Sequence, residues 1–155
     1  MNQTEKERLI QECTKFRNAI EQCKDNMGEW WYRDFPKGCC GDISEMLINY
    51  LVREEFKDLY CIYGTAYREV IEDGEVKERS WSHAWLELDS YIIDITADQF
   101  DEINEEVLIT DKSIFHEQFE IDSKVPAEDV SLSGLAYAYD VVCNKIKEVE
   151  EENKI

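Results

Sequence analysis

The stretch SHAWLELDSYIIDIT, from Ser82 to Thr96, has the alternating pattern of a two-stranded β-hairpin. If Asp89 and Ser90 form the turn, residues opposite each other across the hairpin share one face of the sheet. One face is then entirely apolar and consists of Ala84, Leu86, Leu88, Tyr91, Ile93 and Ile95. Because a shift of one residue would bury the polar set instead, the pattern predicts both the register and the face that covers the core.

The opposite face of the same hairpin brings a histidine close to an aspartate. In the predicted register Asp94 pairs with Trp85 and lies diagonal to His83, at a backbone distance of about 7–8 Å that side chains can bridge. A carboxylate in that position fixes the tautomer of an imidazole and stabilises the imidazolium. The pattern therefore indicates a catalytic histidine, the alternative being a structural one. Asp98 is a second candidate for the orienting acid.

A thiol nucleophile for this histidine is available in FPKGCCGDISEML, from Phe35 to Leu47, where Cys39 and Cys40 stand between two glycines. A helical pattern begins directly after them, and the N-terminus of a helix lowers the pKa of a thiol. Backbone N–H groups at the same point can form part of an oxyanion hole. The aromatic loop before the cysteines, which contains Trp30 and Trp31, either packs on the body of the protein or lines a cleft.

The rest of the chain predicts an α+β domain over residues 1–155, with helices packed on an antiparallel sheet. Helices are expected from a capping box at Thr4 to about residue 25, from just after the cysteines to about residue 56, and over residues 133–150. Besides the hairpin, strands are expected over 59–71 and 106–110, with a turn at Asp73-Gly74. Residues 111–128 are ambiguous; Phe115 and Phe119 are expected to be anchors, and His116 a surface or packing residue.

Composition narrows the partners that the chain can have. Seventeen Lys and Arg against 36 Asp and Glu give a net charge of −19, which disfavours nucleic acid and anionic membrane surfaces. This charge either only keeps the protein in solution, which is the simpler interpretation, or steers it towards a basic protein or peptide partner. The sequence contains no apolar run of about 18 residues and begins without the apolar region of a signal peptide. The six cysteines are therefore expected to be reduced, which favours a cytoplasmic location. Nothing in the sequence indicates an oligomeric state.

These residues together resemble the papain-like and transglutaminase-like thiol superfamily, which shares the chain order of Cys at a helix N-terminus, then His, then Asp or Asn on neighbouring strands. Gly38-Cys39-Cys40-Gly41 is similar to the papain-type motif with Cys40 as the nucleophile. HAWLEL followed by YIIDIT is similar to the transglutaminase-like motif, which carries over His83, Trp85, Glu87, Asp94 and Thr96. The resemblance covers roughly residues 35–100.

The resemblance implies a papain-like/transglutaminase-like fold and a catalytic triad of Cys40, His83 and Asp94 that acts on an amide or thioester without a cofactor. Glutamine deamidation, transglutaminase-like acyl transfer and proteolysis are the reactions it implies. Substrate-binding residues are expected to be Trp30, Trp31, Trp85 and Cys39. The chain departs from the motif at Gly41, where the family usually has Trp, and at Asp34, where papain-type enzymes have an oxyanion Gln. Trp30, Trp31 or a backbone N–H would then supply that donor.

Three alternatives remain open from the sequence. Cys39, Cys40, His83 and Asp94 are all zinc-ligand types, although adjacent cysteines chelate a structural zinc poorly, and no metal is expected. Cys39 and Cys40 could form a strained, redox-labile disulfide that would silence the nucleophile. Finally, the charge of −19 is also typical of an acidic binding or immunity-type protein that has the same fold and no catalysis.

Overall fold

The computed structural model describes residues 1–154, so Ile155, at the end of the predicted domain, lies outside the described range. The fold is α+β, as predicted. In the described residues the α-helices are α1 (Gln3–Cys23), α2 (Cys40–Arg53), α3 (Ile114–Glu117) and α4 (Ala136–Glu152). The strands are β1 (Leu59–Glu72), β2 (Glu75–Leu88), β3 (Tyr91–Asp94), β4 (Leu108–Thr110) and β5 (Glu120–Pro126).

The five strands form one antiparallel sheet in the order β4-β3-β2-β1-β5. The hairpin register predicted from the alternating pattern is confirmed, because Leu86 lies opposite Ile93 and Leu88 lies opposite Tyr91. Asp89 and Ser90 form the turn, with φ angles of 48° and 69°. These positive values are those of the two-residue turn whose twist matches that of the flanking strands.

The two faces of the sheet are covered differently. On one face, helices α1, α2 and α4 enclose the main core, in which the apolar side of the hairpin is buried. Helix α2 contributes the stripe expected from its sequence, formed by Ile43, Met46, Leu47, Tyr50 and Leu51. On the other face a smaller cluster consists of Ile62, Ala66, Trp85, Phe115 and Phe119. This second group is called the aromatic cluster below.

Two sequence expectations are corrected by the structure. Helix α1 begins at Gln3 with Asn2 as its N-cap, since the Asn2 side chain accepts a hydrogen bond from the Glu5 N–H, so the capping box at Thr4 is wrong. The ambiguous segment 111–128 contains both α3 and the edge strand β5. Phe115 and Phe119 are buried anchors of this segment, as predicted.

The β1–β2 hairpin is longer than the sheet it belongs to. Strand β1 pairs with β5 only over Tyr60–Thr65, whereas its pairing with β2 continues to Glu72. The distal part, residues 67–80, is therefore a two-stranded ribbon, and its tip side chain Ile71 is 78% exposed. In the described residues no helix has the length and apolar character needed to cross a membrane.

Candidate active site

Asp94 is the centre of a buried polar network on the aromatic-cluster side of the sheet. Its Oδ2 lies 2.6 Å from His83 Nε2 and 2.7 Å from His116 Nε2. Its Oδ1 accepts a hydrogen bond of 2.9 Å from the Thr96 N–H and one of 3.3 Å from the Thr96 hydroxyl. Both carboxylate oxygens thus have two partners each, which is how a protein retains a charge away from water.

These contacts determine the charge state of Asp94. Burial would raise the pKa of this carboxyl, but the charge of His83 and the hydrogen bonds from His116 and His83 hold it well below its usual range. An ionised carboxylate can only accept hydrogen bonds, so both imidazoles must carry a proton on Nε2. The hydrogen-bond pattern therefore fixes the tautomer of each neutral histidine.

His83 is held between Asp94 and Cys40. It lies on β2 opposite Gly64 of β1. A Cβ added to Gly64 would come within 3.0 Å of the Phe119 Cβ and 3.2 Å of the Trp85 ring. Glycine at position 64 thus allows the aromatic cluster to pack closely beside the imidazole. With Nε2 bonded to Asp94, His83 Nδ1 is a buried nitrogen without a hydrogen-bond partner among the described residues.

Cys40 is one of the groups that affect the pKa of His83. Burial would lower this pKa, but the charge and hydrogen bond of Asp94, followed by the influence of Cys40, raise it to about 9. A thiolate beside the imidazole therefore favours the protonated ring. Since Nε2 is occupied by Asp94, Nδ1 is the nitrogen that remains available to Cys40. The structure thus bonds His83 to Asp94 and places the predicted Cys40 near enough to influence His83.

Cys40 is the first residue of α2, and Cys39 is its N-cap. The Cys40 N–H therefore has no acceptor within the helix, and it lies at the positive end of the helix dipole. The thiol is half-buried, and the position that a Gly41 Cβ would occupy has no neighbour within 4 Å. The start of α2 thus combines a thiol, a free N–H donor and open space beside them.

The other five cysteines are free thiols in different surroundings. Burial raises the pKa of Cys39 to about 12 and that of Cys23 and Cys61 to about 11. Burial also raises the pKa of Cys13 and Cys143. Thiols of this kind behave as small apolar side chains and are poor nucleophiles.

The predicted substrate-binding residues do not all face the outside. Trp30 is 70% exposed near the start of α2, which is compatible with a substrate contact. The Trp31 Nε1–H donates to Asp42 Oδ2 at 3.1 Å, so this indole is not a free oxyanion donor. Trp85 and Cys39 are 3% exposed, the first in the aromatic cluster and the second in the main core. Both side chains therefore pack in the protein interior, and their substrate contact stays a prediction.

Asp98, the second candidate for the acid, has another partner. Its two carboxylate oxygens accept hydrogen bonds of 2.8 and 2.9 Å from the guanidinium of Arg17 on α1. Arg17 also donates to the Ile95 carbonyl oxygen at 2.7 Å. Asp98 thus ties the chain after β3 to α1, and Asp94 alone orients His83.

His116 is the residue that the sequence interpretation missed. It is 3% exposed, so the expectation of a surface residue is wrong. The alternative expectation, a packing residue, agrees with this burial but did not include the hydrogen bonds that His116 makes. It comes from α3, and its contact with Asp94 depends on how residues 111–126 return to the sheet. The sequence signal that could have found it is that His116, one of only two histidines in the chain, lies between the expected anchors Phe115 and Phe119.

The same three side chains include nitrogen and oxygen ligands that a metal ion could use. The ligand atoms of His83, Asp94 and His116 lie within 4.8 Å of one another. However, the two N···O distances of 2.6 and 2.7 Å are those of charge-assisted hydrogen bonds. Ligands on a tetrahedral ion with bonds of about 2.0–2.1 Å stand more than 3 Å apart. The arrangement present fits shared protons better than a shared ion.

No protein-family model, curated protein or solved structure matches this chain.

Proposed function

We propose that this protein is a thiol-dependent hydrolase or acyl transferase that acts on an amide through Cys40, His83 and Asp94. We further propose that its fold belongs to the papain-like/transglutaminase-like group, since the cysteine begins a helix and the histidine and aspartate follow on neighbouring strands. The observation that carries the proposal is the orientation of His83. Its Nε2 is bonded to a buried carboxylate, while Nδ1 is left free for the thiol at the start of α2.

The proposed reaction follows from these positions. The Cys40 thiol gives its proton to His83 Nδ1, and the sulfur attacks the carbonyl carbon of the amide. The resulting oxyanion accepts a hydrogen bond from the free Cys40 N–H at the start of α2. When the C–N bond breaks, His83 returns the proton to the leaving nitrogen, and a thioester on Cys40 remains. Water or an amine then attacks that thioester through the same base.

Charge indicates the class of substrate. The net charge of −19 attracts a basic protein or peptide and repels an acidic one. A glutamine side chain in a lysine-rich segment combines a reactive amide with that charge. With water as the second reactant the product is glutamate and ammonia, and with a lysine amine it is an isopeptide bond. A reducing compartment such as the cytoplasm keeps the thiol available.

The first test is the rate of alkylation of each cysteine by iodoacetamide as a function of pH, with the modified residue located by mass spectrometry. We expect Cys40 to react fastest, because an imidazolium beside the thiol favours the reactive thiolate. His83→Ala should slow this reaction, because the imidazolium no longer stabilises the thiolate. A Cys40 that reacts no faster than the five other thiols would contradict the proposal.

A matched pair of variants then tests catalysis. Ammonia release from lysine-rich, glutamine-containing peptides should disappear in Cys40→Ala and persist in Cys39→Ala, since the two residues are adjacent and only Cys40 is expected to attack. Equal activity of wild type and Cys40→Ala would refute the mechanism.

The acidic binding or immunity-type protein is the second candidate, and the observation that favours it is again the charge of −19. A binding protein needs no reactive thiol. Slow labelling of Cys40, combined with tight binding of a basic protein that persists in Cys40→Ala, would support this alternative over the enzyme.

A further inference from the structure

His116 is a second imidazole bonded to the same oxygen of Asp94 that His83 uses. The His116 Nε2 to Asp94 Oδ2 distance is 2.7 Å, and the side chain of His116 is 2% exposed. The two residues are 22 positions apart in sequence, so the contact is long-range and joins α3 to the end of β3. A packing residue would not need a polar atom there, and the hydrogen bond therefore indicates a more specific role.

The protons of this network can be assigned one by one. Because ionised Asp94 only accepts, His116 must donate from Nε2, and neutral His116 then has an acceptor at Nδ1. That nitrogen lies 2.5 Å from the hydroxyl oxygen of Ser113, which is the N-cap of α3 and can donate to it. The same Ser113 oxygen accepts the His116 backbone N–H at 3.2 Å. Ser113 thus holds His116 in the tautomer that donates to Asp94.

Without this second donor, Asp94 Oδ2 would have His83 as its only partner. Buried carboxylates that lose a hydrogen-bond donor become easier to protonate. A protonated Asp94 would no longer stabilise imidazolium on His83 and could turn away from it. On one side the His116 ring packs against Trp85, with the two ring centroids 4.9 Å apart. The surface pocket that His116 lines also contains the charged side chains of Glu87, Glu117 and Lys124.

We propose that His116 is a positioning residue that keeps Asp94 ionised and aimed at His83, through the hydrogen-bonded series Ser113, His116, Asp94, His83. This inference rests on the proposed function and deepens it, since it makes the acid of the triad depend on a residue outside the triad. His116 acts through Asp94 and touches neither the thiol nor the substrate.

The experiment measures the Asp94 carboxyl by ¹³C NMR titration and the acid limb of Cys40 alkylation in parallel. His116→Phe keeps a ring and removes the donor, so we expect the Asp94 midpoint to rise by about 1 pH unit and the acid limb to move the same way. His116→Gln retains an N–H donor and should restore at least half of the shift. Ser113→Ala should give a smaller shift than His116→Phe.

Phe119→Leu is the matched control, because it loosens the aromatic cluster beside His116 and leaves the hydrogen bond to Asp94 in place. An unchanged Asp94 midpoint in His116→Phe, or an equal shift in Phe119→Leu, would overturn the inference. If His116→Phe does not fold, Ser113→Ala decides instead, and an unchanged Asp94 midpoint in that variant overturns the inference. If wild-type Cys40 labels slowly and substitution of His116 still moves the Asp94 midpoint, the proposed function fails. The inference that His116 keeps Asp94 ionised then remains valid.

Discussion

The two faces of the sheet are both buried, but they are stabilised by different interactions. On the main-core face, Leu86 and Ile93 pack among the side chains of the helices, and apolar burial is sufficient. On the aromatic-cluster face, Asp94 and two histidines are buried as a hydrogen-bonded group. On this face the buried carboxylate is fully bonded, and His83 Nδ1 is the nitrogen of the network that has no partner among the described residues. This free atom is the one that the proposed mechanism assigns to the thiol.

The largest effect on stability is expected when the polar face loses its central charge. Asp94→Ala leaves two buried imidazoles without an acceptor, so the free energy of unfolding should fall by about 3–5 kcal/mol at pH 7. Ile93→Val, one residue earlier on the apolar face, should lower it by only about 0.5–1.5 kcal/mol. Urea unfolding of both variants measures the two values. A smaller loss in Asp94→Ala than in Ile93→Val would contradict the distinction between the faces.

A pH effect of intermediate size should separate the faces further. The pKa of His83 is raised from 6.5 to about 9, because Asp94 and Cys40 outweigh the effect of burial. Its contribution to stability is therefore complete below pH 6.5 and is lost as the pH rises through about 9, by roughly 3 kcal/mol in all. For Asp94, with its lowered pKa, the contribution is present above about pH 4 and is lost in acid.

Unfolding curves measured between pH 6 and 8 test this difference. The thiols whose pKa is raised by burial stay protonated in this range. Leu86→Ala should lose about 2–5 kcal/mol at every pH and keep the wild-type slope, since it removes only apolar contacts. His83→Gln should remove most of the slope. Parallel pH profiles of wild type and His83→Gln would show that the polar face does not couple to folding in this way.

The smallest effect on stability is expected at the open start of α2. Gly41→Phe should change the free energy of unfolding by less than about 1 kcal/mol, because its Cβ would have no neighbour within 4 Å. It should slow the reaction of Cys40 with a bulky maleimide about tenfold and leave iodoacetamide labelling nearly unchanged. Gly41→Ala, which adds only the Cβ at the same position, is the control for the glycine replacement. Equal slowing with both reagents would show that the substitution disturbs the thiol itself rather than access to it.

Local patterns were sufficient to predict the hairpin and the site within it. The period of two along β2 and β3 specifies which residues face the core, so the contact of His83 with Asp94 follows from sequence alone. Helix α2 follows from the apolar stripe that begins at Ile43, and its observed start at Cys40 lies just before the predicted one. The α+β class also follows from the order of these elements along the chain.

Other parts depend on contacts that no local pattern encodes. Strand β5 is an edge strand with mostly exposed residues, so the segment EIDSKVP lacks the alternation that marks a half-buried strand. Helix α3 has only four residues, too few for a periodic signal. The place of His116 beside Asp94 depends on both elements, and it was missed for that reason. The N-cap at Asn2 was missed because Thr4 offered an equally good cap two residues later.

The extension of the β1–β2 hairpin beyond its neighbours has a consequence for hydrogen exchange. The amides of residues 60–65 in β1 lie between two strands and are released only when the sheet as a whole opens. Those of the distal ribbon, residues 67–80, are protected by a single partner strand with exposed side chains on the tip. One continuous strand therefore spans two cooperative units, and fraying of the ribbon leaves the half that contains the Gly64–His83 pair intact.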